Sequence, residues 1–444
     1  MKAWMMASAL LLAAVPAAWA QSEGEPDFSH PWTLAQCTEW AMEHNLTVAQ
    51  QETGVSGKEI DQNTAHSAWL PRVSASADET FSFGRGLGGN NTYENGNSST
   101  TSFSIGASMD LFNGGSTYNQ MKLADLNLEA ALADLEKARD DIRVSVAQAY
   151  VQILYNYEIL DVARQQITID SLQVARLEGL YKNGMASAAE VSQQKASLAQ
   201  SRVTLTQAQN NVCASLLDLA QLLEFGHWEG FSVVRPSITV EDIAIGTPDD
   251  IYADALMLRP SIKAEELRLE GMQHSLAIAK SAYYPSLSLR GGAGTNYYSN
   301  FGTTGFWNQL NNNFSQYVGL SLSIPIFNKF ATRNQVRSAK LNQVNQEIQL
   351  RRAQQTLYKE IQQAWNAAVN ARAKYEASCD ALAAAQDAFA LVRAKYENGK
   401  ATVTEFNESR NQFLKTRSDT VQATYEYLFQ THLVNFYRGG DLTL

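Results

Sequence analysis

The tetrapeptide Tyr181-Lys182-Asn183-Gly184 returns as Tyr396-Glu397-Asn398-Gly399, 215 residues later, each time between two very long helical patterns. The correspondence continues past each glycine, where Ala186-Ser187-Ala188-Ala189-Glu190-Val191 stands against Ala401-Thr402-Val403-Thr404-Glu405-Phe406. Upstream, Ser67-Ala68-Trp69-Leu70-Pro71 parallels Ser281-Ala282-Tyr283-Tyr284-Pro285 at an offset of 214, and Leu111-Phe112-Asn113 parallels Ile326-Phe327-Asn328 at 215. So small a drift over such distances means one unit written twice with minor insertions. A period this long excludes a short-repeat solenoid and predicts two tandem halves of one fold.

The halves are elongated rather than globular, because the 444 residues include only 9 prolines and carry long tracts rich in Ala, Gln, Leu and Glu. Lys2, the apolar run through Leu10-Leu11-Leu12-Ala13-Ala14 and then Ala18-Trp19-Ala20 have the form of a secretory signal cleaved before Gln21. The mature chain is therefore expected to be exported, and with no cysteine at the new N-terminus no lipid anchor is expected there. Loss of Lys2 takes the net charge from −10 to −11, which makes nucleic acid a poor partner. No apolar run reaches the roughly 18 residues of a membrane-crossing helix. Contact with a membrane has to be made by strands. Cys37, Cys213 and Cys379 lie in helical patterns without metal-ligand spacing and read as small buried hydrophobes, with no disulfide framework.

Four segments alternate with period two. Val73, Ala75, Ala77, Phe81 and Phe83 oppose Ser74, Ser76, Asp78, Thr80 and Ser82; Phe103, Ile105, Ala107, Met109 and Leu111 oppose Ser102, Ser104, Gly106, Ser108 and Asp110. In the second half Leu287 and Leu289 oppose Ser286, Ser288 and Arg290, and Val318, Leu320, Leu322 and Ile324 oppose Gly319, Ser321 and Ser323. One greasy face per strand suits either a sheet covering a soluble core or a lipid-facing barrel; the strand length, the small polar residues and the export signal favour the barrel. Long Gly/Asn/Ser loops, Gly84 to Thr100 and Tyr298 to Ser315, join each pair of strands on one side. Four strands cannot close, and an open edge in lipid leaves backbone groups unsatisfied. Two copies would give a plugged eight-stranded barrel; three give twelve strands and room for a duct.

Between the strands and the repeated turns, Asn113 to Asn183 and Asn328 to Asn398 run 71 residues without proline, roughly 105 Å of helix. Val191, Leu198, Leu205, Val212 and Leu219 recur every seventh residue on the first return helix, matched by Phe406, Phe413, Thr420, Tyr427 and Val434 on the second. Val146, Ile153, Leu160, Ile167, Val174 and Tyr181 form the facing row, with Tyr375, Leu382, Phe389 and Tyr396 as counterpart, which predicts coiled-coil packing. Shorter helices, about Thr33 to Trp69 and Asp249 to Tyr283, are stopped by Pro71 and Pro285. The expected division is a signal peptide (1–20), a first repeat (21–225), a small side-domain connection (226–248), a second repeat (249–438) and a short tail (439–444).

These features together, namely the duplicated halves, the Ala-x-x-Pro approach to a strand at Ala68 to Pro71 and Ala282 to Pro285, Leu258-Arg259-Pro260, and the paired Tyr-x-x-Gly turns, resemble the TolC family of outer-membrane efflux factors over nearly the whole mature chain. The resemblance implies an α+β membrane protein, a homotrimer whose twelve-stranded barrel (four strands per chain) crosses the outer membrane and continues as an α-helical coiled-coil tunnel through the periplasm. It implies an exit duct for an inner-membrane pump of RND, ABC or MFS type, reached through a periplasmic adaptor protein. The family's adaptor-contacting tip carries over to Asn183, Gly184, Met185, Asn398, Gly399 and Lys400. Its acidic entrance ring, six and nine positions after the second glycine, carries over to Glu405 and Glu408, whose mutual repulsion across three copies would raise some of their pKa values. Its tip latch carries over to Glu190 and Tyr396, while the arginine that often completes the latch is replaced by Ala401.

No catalytic reading survives. Gly84-Arg85-Gly86-Leu87-Gly88-Gly89 satisfies G-x-G-x-x-G, but polar loop rather than helix follows it, so it reads as loop. His30, His44, His66, His227, His274 and His432 lack metal-ligand spacing. Neither an enzyme, a cofactor nor a metal is expected. The rival readings are a periplasmic adaptor and a structural coiled coil without a pore, both of which would extract into buffer without detergent.

Overall fold

The computed structural model describes residues 27–87, 92–236, 245–299 and 305–442. The expected signal peptide lies outside the described residues, as do Gly88 and Gly89, residues 237–244 of the connection, 300–304 of the second loop and the last two residues of the tail.

Each half is a helix pair, two long strands, a very long helix, a turn and a return helix. In the first half these are α1 (Leu34–His44), α2 (Leu46–His66), β1 (Arg72–Ser82), β4 (Ser98–Phe112), α3 (Ser116–Lys182) and α4 (Ala188–Leu222); β2 (Arg85–Leu87) and β3 (Tyr93–Asn95) form a small ladder in the loop between the strands. In the second they are α5 (Pro248–Leu258), α6 (Pro260–Ser281), β5 (Ser286–Tyr298), β6 (Ser315–Ser323), α8 (Ala331–Glu397) and α9 (Val403–Tyr437), with a short α7 (Phe306–Asn312) in the loop. At 67 residues each, α3 and α8 are about 100 Å long.

The segments expected as single helices, Thr33 to Trp69 and Asp249 to Tyr283, are each broken once, at residues that correspond at an offset of 214. Asn45 and Arg259 both adopt extended backbone. Asn45 accepts from the Thr47 amide, which starts α2, and its Nδ2 donates 3.0 Å to the carbonyl of Leu222 at the end of α4. Arg259 donates to the carbonyl of Phe436, one residue before Leu222's counterpart, and pairs at 3.0 Å with Asp140, while its guanidinium lies 4.2 Å from the Phe436 ring centre. Each half therefore ties its helix break to the end of its return helix, by an amide in one copy and a guanidinium in the other. Leu-Arg-Pro in the second half places Arg259 at the break and Pro260 at N1 of the next helix, where its missing N–H costs nothing.

The four long strands form one antiparallel sheet in the order β1-β4-β5-β6. β4 and β5 extend beyond the alternating segments read from sequence, to 15 and 13 residues, because Ser, Thr, Gly and Asn continue the ladder where the apolar signal fades. Ile324 falls just outside β6. Register keeps the two faces apart: Ala75, Ile105 and Ala293 pair on one, Ser76, Ser104 and Gly294 on the other. The apolar face is uncovered by protein, with Val73, Ile105, Val318, Leu320 and Leu322 all more than half exposed. Among the described residues the outer edges of β1 and β6 are unpaired.

The turn from strand into long helix needs left-handed backbone in both halves. Gly114 and Gly115 have φ of 66° and 81°; their counterparts Lys329 and Phe330 have 54° and 63°. A Cβ on Gly114 would also stand 2.6 Å from the Ser281 carbonyl oxygen, which a shift of backbone alone could relieve. Gly114→Ala is expected to cost about 1–3 kcal/mol, read as an earlier thermal transition of the purified protein, because strain and a backbone clash coincide there.

Below the sheet α3 packs along α4 and α6, α8 along α9 and α6, and α3 meets α9, joining the two hairpins. The heptad rows face inward: Val146, Ile153, Leu160, Val174, Val191, Val212 and Leu219 are buried, and Tyr375 stacks on Tyr427 at 5.6 Å. No described helix is long and apolar enough to cross a membrane. The cysteines do not share one environment. Cys37 is buried against α3 and α4, and burial pushes its thiol up to about 12, but Cys213 is exposed and Cys379 half-buried, so the common buried reading fails for those two. Cys213 follows Val212 directly, one step off the inward row.

Candidate functional site

The two repeated turns lie side by side at the end of the hairpins away from the sheet. Each is closed by a glycine in the left-handed conformation, Gly184 at φ 71° and Gly399 at φ 69°. Met185 N–H reaches back to the Leu180 carbonyl and Lys400 N–H to Lys395, both at 2.8 Å, which satisfies the carbonyls a helix end leaves open. Asn183 and Asn398 donate from Nδ2 to the carbonyl four residues earlier, at 3.0 and 2.8 Å. Asn183, Gly184, Met185, Asn398, Gly399 and Lys400 are all exposed, so the tip presents them outward.

Beneath this surface Leu177, Val191, Phe389, Tyr396, Val403 and Phe406 pack into one cluster that joins both turns. Tyr396 stacks on Phe406 at 4.9 Å, whereas its counterpart Tyr181 is exposed. Arg176 links the two turns: its Nη2 donates 3.1 Å to the Glu397 carbonyl and its guanidinium lies 4.9 Å from the Tyr396 ring centre. Sequence comparison of the two halves passes over Arg176, because it lies eight residues before the repeated glycine and its counterpart, Leu391, is uncharged.

The acids of the tip are engaged locally. Glu190 accepts from the Ser187 amide (2.7 Å) and hydroxyl (3.0 Å), and Glu405 from the Thr402 amide (2.7 Å) and hydroxyl (3.2 Å), each closing a capping box on its own helix. These bonds from the cap residue hold both carboxyls below their ordinary value. Within one protomer the cap thus opposes the upward shift expected for Glu405. Glu408, one turn further on, is exposed and makes no hydrogen bond among the described residues. Glu190 and Tyr396 are neighbours without a hydrogen bond between them inside the protomer. Burial raises the Tyr396 phenol, Arg176 offsets part of this, and the charge of Glu190 adds to it.

About two turns deeper, charge is buried completely. Asp170 of α3 forms an ion pair with Arg410 of α9, the two side chains 0% and 2% exposed. Gln194 and Ser201 of α4 donate to the two Asp170 oxygens, Gln194 at 3.3 Å. Arg410 Nη2 reaches Ser197 at 3.2 Å and Asn411 at 3.0 Å, and Asn407 reaches Gln194 at 3.3 Å. The Arg410 Nε and the Gln173 and Asn407 side-chain oxygens have no hydrogen-bond partner among the described residues. Burial lowers the Arg410 pKa from its ordinary value, and the partner carboxylate keeps the charged form in place. A signal existed in sequence: Val403, Phe406, Arg410 and Leu414 share one buried stripe, as do Asp170, Val174 and Leu177 with the half-buried Ile167, so a charge interrupts the stripe on each helix. The counterpart of Asp170 is Ala385, which makes the seam specific to one pairing of the halves.

Among the described residues no three His, Cys, Asp or Glu side chains gather as a metal site.

The sequence model of the outer membrane efflux protein family matches residues 39–224 and 251–432, one block in each half. Over 291 residues the chain is 26% identical to the fusaric acid resistance protein FusA of Burkholderia cepacia; that match covers 62% of this chain and 52% of FusA, so it spans about half of that relative's length. It is 21% identical over 403 residues to the outer membrane efflux protein BepC of Brucella suis, covering 90% of this chain and 84% of BepC. The solved structure of the outer membrane protein VceC of Vibrio cholerae superposes with a TM-score of 0.78 at 20% identity, covering 92% of this chain and 97% of VceC, a likeness of fold.

Proposed function

This chain belongs to the outer membrane efflux protein family, and on that premise we propose that it forms a homotrimeric exit duct, conducting substrates passively from an inner-membrane pump across the periplasm and outer membrane. The family is one of channel proteins, and we read this chain as a channel without catalytic activity. The observation that carries the reading is the four-stranded sheet, which leaves an apolar face uncovered and two edges unpaired at one end of helices about 100 Å long. Lipid would cover the face, and the β1 edge of one copy would pair with the β6 edge of the next.

The exposed tip is where a periplasmic adaptor would dock, through Asn183, Gly184, Met185, Asn398, Gly399 and Lys400. Three copies of Glu405 and Glu408 would line the entrance with six carboxylates. In planar bilayers the detergent-solubilised trimer is expected to give small cation-selective steps, and Glu405→Gln with Glu408→Gln to abolish that cation preference. A soluble monomer without conductance would return the adaptor or structural coiled coil to the front.

At the tip, the link between the halves favours Arg176 over a Tyr396–Glu190 hydrogen bond as the tie that keeps the turns together. Arg176→Ala removes both the bond to Glu397 and the stacking on Tyr396, so larger single-channel conductance is expected. Tyr396→Phe with Glu190→Gln should change conductance less, since no bond joins these two within a protomer. The reverse order would place the latch between Glu190 and Tyr396 of adjacent protomers.

A further inference from the structure

Sheet register brings two arginines to one level of the polar face. Arg72 of β1 pairs with Ser108 of β4, Ser108 pairs with Arg290 of β5, and Arg290 pairs with Gly319 of β6. Residues paired across a ladder point to the same side, so both arginines lie on the side opposite the exposed Val73, Ala107 and Val318. They are two strands apart, about 10 Å. Both are exposed, and neither makes an ion pair or hydrogen bond through its guanidinium among the described residues. The rung on one side holds Ser74, Gly106, Gly292 and Tyr317, whose ring lies against Gly292, and the rung on the other holds Asp110, Ser288 and Ser321. Tyr317 and Asp110 are the larger side chains of these rungs, and neither bonds to a guanidinium among the described residues. Asp110, paired with Ser288, is the acid at this level, leaving two positive charges against one negative in each chain.

We propose that Arg72 and Arg290 form an anion-binding ring in the bore, at the junction of barrel and helical tunnel, that favours anionic cargo such as carboxylates and sulfonates. The inference rests on the trimeric duct: three copies place six guanidinium groups and three Asp110 carboxylates around one level. The ring opposes the carboxylates of the tip in sign. Arginine suits this role because its fork binds carboxylate and related oxyanions in a bidentate manner and stays charged at all working pH values. Rings of basic side chains are a known means of selecting anions in pores.

The test is the reversal potential of the reconstituted trimer in a potassium chloride gradient, measured on the Glu405→Gln, Glu408→Gln background so that the entrance no longer dominates. This background is expected to prefer chloride over potassium. Adding Arg72→Gln with Arg290→Gln should abolish the preference, a severalfold fall in the chloride-to-potassium permeability ratio. Arg72→Lys with Arg290→Lys should retain the preference, and Arg72→Glu with Arg290→Glu should reverse it. Channels that conduct with the same reversal potential in all four forms would overturn the ring and leave the duct standing. A trimer that conducts in none of its forms would overturn the duct, and the ring with it.

Discussion

Arg410→Leu is expected to lower the stability of the helical region by about 3–5 kcal/mol, because it leaves Asp170 ionised and fully buried with only Gln194 and Ser201 to hold it. The same loss is expected for Asp170→Leu, which strands the guanidinium instead. The joint variant Asp170→Leu with Arg410→Met is expected to recover most of the stability, since a dry buried pair draws little net energy from its own attraction once desolvation is counted. Melting of the helical signal of the detergent-solubilised protein, with limited trypsin digestion of the lower hairpins, reads all three. If the double variant stayed as unstable as the singles, the cluster would be an energetic keystone rather than a device for matching partners. What the pair then contributes is register. Asp170 on α3 and Arg410 on α9 can meet at only one axial offset of two long helices whose Leu, Val and Ala rows would tolerate sliding by a heptad.

Ile105→Arg is expected to prevent accumulation in the outer membrane. Ile105 sits in the middle of β4, paired with Ala75 and Ala293, and its side chain is 53% exposed on the apolar face. An arginine near the middle of the hydrocarbon costs about 2–4 kcal/mol per site in a barrel, and three symmetry-related copies multiply this to roughly 6–12 kcal/mol per trimer. The preceding residue is the internal control, because Ser104 lies on the opposite face against Ser76 at 2.8 Å. Ser104→Arg should insert at near-normal levels, as judged by heat-modifiable trimer in outer-membrane fractions. Equal loss from both substitutions would mean that the apolar face does not meet lipid.

The architecture was largely legible in the sequence because its two signals, period two and period seven, are long and repeated. Tyr181 to Gly184 and Tyr396 to Gly399 locate the turns, and the alternation at Val73 and Phe103 locates strands within a few residues. What was not legible depends on contacts between distant positions. Asn45 looks like one more polar residue of a helix until its amide is found on Leu222. Strand β5 outlasts its apolar signal because Gly291, Gly292 and Gly294 carry no hydrophobic mark, yet their ladder partners Ala107, Gly106 and Ser104 keep it paired. At the tip, the positions of Glu190 and Glu405 are readable, and Ser-x-x-Glu and Thr-x-x-Glu before a helix have the form of a capping box, but which carboxyl is engaged there rather than free at the entrance shows only in the bonds to Ser187 and Thr402. Arg176 and Arg410 escaped for a related reason. Each is a single charge whose importance comes from what faces it: Arg176 stands against the uncharged Leu391 in the other half, and Arg410 against Lys195, which spends its charge on Glu178 at the surface.

The unpaired edges of β1 and β6 carry a genetic consequence. In the proposed trimer the sheet is complete only when three chains contribute, and it cannot be assembled piecemeal in lipid, since one or two copies would leave open backbone edges in the hydrocarbon. On that proposal insertion is tied to subunit encounter, and the chain waits in the periplasm until its partners arrive. A copy whose sheet is sound but whose tip is defective will still be counted into trimers. In a cell making equal amounts of normal and tip-defective chains, roughly one duct in eight would be wholly normal if assembly is random. Alleles altered at the tip should therefore behave as dominant, whereas alleles that break β1 or β6 should be recessive, because their products never enter the count.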